Sequence, residues 1–133
     1  PIILIAIGHS TKAYMFRDKN EKLDRKPFKN ICKDINKNYE FLLEPIQLSP
    51  SYKNCQPWVI YNERNTFNIY SEKQSKIKND LIELSMGAFI KHFDLSIKEN
   101  KKKVSYEKIN AKKRLRKNYC ISAIINNDVD INR

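Results

Sequence analysis

Between Ser75 and about Asn100 the apolar residues fall at helical spacing, and no other stretch restricts the possible folds as much. Ile77, Leu81, Leu84, Ala88 and Leu95 make one stripe, while Met86, Phe89, Ile90, Phe93 and Ile97 nearly complete the circle. A helix apolar almost all round belongs in the middle of a fold, so a central buried helix is predicted. Gly87 falls at its centre, where glycine costs about 1 kcal/mol relative to alanine. Close packing against a neighbour or a ligand is the compensation expected there.

The remaining elements have to surround this helix. Val59, Ile60 and Tyr61, then polar residues 62–65, then Phe67, Ile69 and Tyr70, predict an antiparallel hairpin. The aliphatic run Ile2 to Ile7, stopped by Gly8, has the pattern of a strand buried on both faces. Residues 9–30 turn polar and basic and read as an irregular connection. Tyr39, Leu42, Leu43 and Ile46 predict a helix from Asn38 to Leu48, strained or kinked by Pro45 and ended before Pro50. Val104 to Tyr106 reads as a short extended piece, Tyr119 to Ile125 as a last strand, and residues 126–133 as a polar tail. With 133 residues and no internal repeat, residues 1–125 form one domain. The class is α+β, a mixed or antiparallel sheet around one central helix.

Composition narrows the function less. A hydrophobic fraction of 41% is globular despite 31% charged residues. The formal charge of +11 is concentrated at Lys101 to Lys103 and at Lys112, Lys113, Arg114, Arg116 and Lys117. A solvated basic face is the preferred reading of that excess. Nucleic-acid binding through Lys112 to Lys117, with Tyr106 and Tyr119 stacking on bases, ranks last because no recognition motif accompanies the charge. Cys32, Cys55 and Cys120 are odd in number and far apart, which suggests neither a disulfide framework nor a zinc site. Reduced thiols fit a cytoplasmic protein. The run Ile2 to Ile7 is too short to span a bilayer, and no membrane partner is expected. Because the sequence opens on Pro1 directly into that run, it reads as the C-terminal part of a longer chain.

The chemistry-bearing stretch is Pro50 to Trp58, PSYKNCQPW, where two prolines bracket Ser51, Asn54 and Gln56 ahead of the only tryptophan. A helix, this element, a hairpin and a helix holding Gly87 and His92-Phe93 follow in that order. The arrangement resembles the nitroreductase family, and more narrowly the bacterial nitroreductases whose single chain carries two half-units. Ile5 to His9 resembles that family's strand and turn, and Arg25-Lys26-Pro27-Phe28 its basic element. Cys55 stands where a serine is common, Ser85 where an acid is usual, and His9-Ser10 in place of a Tyr-Pro pair.

The resemblance implies a nitroreductase-like, FMN-dependent enzyme. Electrons pass from NAD(P)H through the flavin to a small-molecule acceptor, a nitro compound or a quinone, in a ping-pong cycle. Ser51, Asn54 and Gln56 would hydrogen-bond the flavin, Pro50 and Pro57 would fix the backbone, and Arg25 and Lys26 would meet the phosphate. Trp58 and Gly87 complete the implied cofactor-binding set, with no catalytic residue and no metal assigned. A homodimer, or an N-terminal half-unit missing from this sequence, would complete the flavin site. Plainer roles stand beside these: Ser51 and Asn54 as turn caps, Trp58 as core, Arg25 and Lys26 as surface charges. A non-enzymatic remnant that keeps the fold is the alternative reading.

Overall fold

The computed structural model describes residues 24–73 and 75–126. The strand expected at Ile2 to Ile7, most of the basic connection after it, and residues 127–133 of the tail lie outside the described residues.

Pro27 stands before one helical turn, α1 (Phe28–Ile31), and its carbonyl accepts from the Asn30 N–H at 2.8 Å, so the connection is not irregular to Asn30 as expected. The turn leads into β1 (Cys32–Lys33), which pairs in parallel with the next strand. Burial pushes the Cys32 thiol up to about 12, with Lys33 pulling weakly the other way. From pH 9 to about 12 the unfolded thiol ionises while the folded one keeps its proton. That contribution to stability is therefore intact below pH 9 and is lost at about 1.4 kcal/mol per pH unit above it. Urea melts of the protein and its Cys32→Ala variant across this range should converge as pH rises; a constant gap would refute the shift.

The helix expected over Asn38 to Leu48 is broken into three pieces. A 3-10 turn at Lys37–Tyr39 leads to α2 (Glu40–Leu43), and a second 3-10 turn follows at Glu44–Leu48. Pro45 has no N–H to continue the α-helical ladder, so the chain tightens where a kink was predicted. Leu42, Leu43 and Ile46 are still fully buried.

β2 (Trp58–Glu63) and β3 (Thr66–Glu72) form the expected hairpin. Its turn places Arg64 at φ 59°, and the Asn62 side chain donates to the Arg64 and Thr66 carbonyls at 2.8 and 3.2 Å. After α3 (Asn79–Glu99), β4 (Lys103–Glu107) pairs with β5 (Lys117–Asn126), which is longer at both ends than the strand expected. Among the described residues the sheet has five strands in the order β1-β2-β3-β5-β4, antiparallel except for the first pair.

α3 lies on one face of this sheet. Met86, Phe89, Phe93 and Ile97 pack on Trp58, Ile60, Phe67, Ile69, Ala123 and Ile125. Burial is not all round: Leu84 is 55% and Leu95 45% exposed, both on the stripe that the sequence put forward as core. The buried stripe is instead completed by Ser85 and Ser96. Ser96 Oγ donates to the Leu42 carbonyl at 2.5 Å, so the polar atom enters the core with a partner.

The opposite face of the sheet carries Tyr61, Tyr70 and Tyr119, whose rings meet edge to face. The β4–β5 loop crosses it, tied by Tyr70 Oη donating to the Lys112 carbonyl at 2.7 Å. Among the described residues no helix is long and apolar enough to cross a membrane, and no acid, histidine and cysteine group could hold a metal. The cysteines are free.

Candidate functional site

The PSYKNCQPW element forms a tight turn between the second 3-10 turn and β2. Ser51 is extended, residues Tyr52–Asn54 make a 3-10 turn, and Lys53, Asn54 and Gln56 take φ of 46°, 55° and 44°. Residues with side chains rarely enter this left-handed region, a conformation that costs about 1–3 kcal/mol per residue and persists only where the surroundings hold it. Here they are held. Ser51 Oγ accepts from the Gln56 N–H at 3.0 Å, and Ser85 Oγ, on α3, accepts from the Tyr52 N–H at 3.0 Å. Ser85 in turn donates to the Leu81 carbonyl at 2.8 Å.

Residues 24–26 are clipped onto this turn. Arg25 Nη1 donates to Asn54 Oδ1 at 2.6 Å, and Asn54 Nδ2 donates to the Asp24 carbonyl at 2.9 Å. Gln56 Oε1 accepts from the Lys26 N–H at 2.8 Å, and Gln47 Nε2 donates to the Lys26 carbonyl at 3.2 Å. Two stretches about thirty residues apart in sequence thus share one hydrogen-bonded knot. Asp24, Arg25, Pro50, Ser51 and Asn54 line an open pocket of about 310 Å³ beside it. Arg25 Nε is itself buried and has no hydrogen-bond partner among the described residues.

The structure therefore brings together Arg25, Pro50, Ser51 and Asn54, with Gln56 supporting them from behind. The other three sequence candidates stand apart. Lys26 Nζ is drawn to Glu72 Oε2 at 2.8 Å, away from this pocket, because Glu72 offers it a carboxylate at the end of β3. Trp58 has no exposed surface and stacks on Phe89 at 4.7 Å, so it stands in the core rather than on a cavity wall. Gly87 lines a different cavity of about 420 Å³, with Met86, Ile90, Lys108 and Tyr119. Close packing does not explain it, since a Cβ at Gly87 would meet nothing within 4 Å.

Sequence reading missed Asp24, Gln47 and Ser85. Asp24 and Gln47 act beside the backbone of a neighbouring segment, which no spacing announces. Ser85 had a signal, because it stands where the resemblance expects an acid.

The family described as "Putative TM nitroreductase" matches residues 2–97, most of the chain and all of this turn. No curated protein and no solved structure matches. That match supports a general oxidoreductase role, and α+β architecture with a mixed sheet accords with it. With the knot, the hairpin and all but the last two residues of α3 inside the matched span, the chain belongs to this nitroreductase family.

Proposed function

We propose that the protein is an FMN-dependent oxidoreductase of nitroreductase type, passing electrons from NAD(P)H to nitro compounds or quinones. The observation that carries this reading is the pocket lined by Arg25, Pro50, Ser51 and Asn54 on a strained turn. The donor set suits the group. A guanidinium, a hydroxyl and a carboxamide match a phosphate and the polar edge of a flavin.

FMN, when bound, supplies the ring that carries hydride and electrons. The chain's own part is binding and orientation. Arg25 offers charge to the phosphate, Ser51 and Asn54 fix the polar edge, and Gln56 keeps residues 24–26 in register through the Lys26 N–H. Lys26 steadies the same segment through Glu72. Pro50 and Pro57 limit the backbone on either side of the turn. A second copy of the chain, or an N-terminal half-unit, supplies the remaining walls.

One observation favours a second reading, a fold kept without chemistry. The carboxamides of Asn54 and Gln56 already bond residues 24–26, which is a purely structural use. Turnover separates the two. With FMN present, the protein should oxidise NADH or NADPH in the presence of a quinone, and double-reciprocal plots at several quinone concentrations should be parallel. Absence of oxidation with any nitro or quinone acceptor would favour the fold-keeping reading.

A further inference from the structure

We propose that the basic loop joining β4 to β5 docks the protein on an anionic phospholipid surface, with Leu115 as the side chain that enters it. The loop follows the family's matched span, which ends at residue 97, so the nitroreductase reading does not account for it.

The loop is held firmly from below. The Arg114 guanidinium lies 4.0 Å over the Tyr61 ring, Tyr70 Oη holds the Lys112 carbonyl, and the Lys73 N–H donates to the Arg116 carbonyl at 3.2 Å. Between these anchors Leu115 projects outward, 88% exposed, flanked by Arg114 and by Arg116 at φ 54°. Burying a leucine is favourable and this one has no internal partner to bury against. Around it Lys112, Lys113 and Arg116 are exposed, with no ion-pair partner among the described residues. Ile109, 37% exposed, lies on the same loop.

An apolar tip ringed by cations matches the boundary of an anionic bilayer, where phosphates meet the ammonium and guanidinium groups and acyl chains accept the leucine. Single-stranded nucleic acid fits less well, because its bases stack on exposed aromatic faces. The two tyrosines considered for stacking are engaged elsewhere. Tyr119 Oη donates to the Glu107 carbonyl at 3.2 Å and its ring packs against Tyr70, while Tyr106 packs against the core. The expectation of no membrane partner rests on the run Ile2 to Ile7 being too short to span a bilayer, and docking on a surface needs no spanning segment.

The test is flotation of the whole chain with phosphatidylserine-rich and with pure phosphatidylcholine vesicles at low salt. Binding is expected only to the first. Lys112→Gln with Lys113→Gln should lower the partition coefficient by about 25-fold, at about fivefold per cation. Leu115→Ser should lower it by about tenfold, with an unchanged circular dichroism spectrum because the side chain is exposed. No binding to phosphatidylserine vesicles, or equal partitioning of Leu115→Ser, would overturn the proposal. So would tighter binding to a single-stranded oligonucleotide that Leu115→Ser leaves unchanged.

Discussion

Replacing Asn54 and Gln56 together by alanine is expected to weaken FMN binding by about a hundredfold, the equivalent of two to three hydrogen bonds at about 1 kcal/mol each. The loss has two sources. Asn54 is a pocket residue, and both carboxamides clip residues 24–26 to the turn, so Arg25 also loses its fixed place. Arg25→Ala alone should remove the charge contact and lower affinity by a smaller factor. Fluorescence titration of FMN reads all three proteins. A thermal melt beside it separates loss of the site from loss of the fold, because the pocket is open and its removal leaves the core in place. Unchanged affinity in the double variant would remove the turn from the flavin site.

The second large effect is on stability. Trp58→Ala should cost about 3–5 kcal/mol, since an indole with no exposed surface leaves a cavity against Phe89. Domains of this kind have a total stability of about 5–15 kcal/mol, so the urea midpoint should fall by a large fraction. Far-ultraviolet circular dichroism is the appropriate probe, because Trp58 is the only tryptophan and its fluorescence goes with it. A loss below about 1 kcal/mol would place Trp58 at a surface instead.

The contrast between these residues explains what the sequence could announce. The hairpin was legible because Val59 to Tyr61 and Phe67 to Tyr70 are short apolar runs around a polar break, and local turn chemistry at Asn62 closes it. The long helix was legible in extent but not in phase. Leu84 and Leu95 looked like core, whereas Ser85 and Ser96 occupy it, each with its hydroxyl bonded to a carbonyl. Hydropathy cannot foresee a polar side chain that is satisfied inside. β1 was invisible because it has two residues and owes its existence to β2.

The site divides in the same way. Ser51, Asn54 and Gln56 share a turn, so their proximity follows from sequence distance. Arg25 reaches them only because the fold returns residues 24–26 to that turn. Lys26 and Gly87 look equally eligible in one dimension, but Glu72 captures the first and the second faces another cavity. No periodicity encodes which of two neighbouring cations a distant carboxylate will take.

The most direct test of the flavin assignment is a visible absorption spectrum of the purified protein after incubation with FMN and removal of the excess. A retained flavin band, bleached by NAD(P)H and diminished in the Asn54→Ala/Gln56→Ala variant, is the predicted result. A colourless, well-folded protein would contradict the assignment.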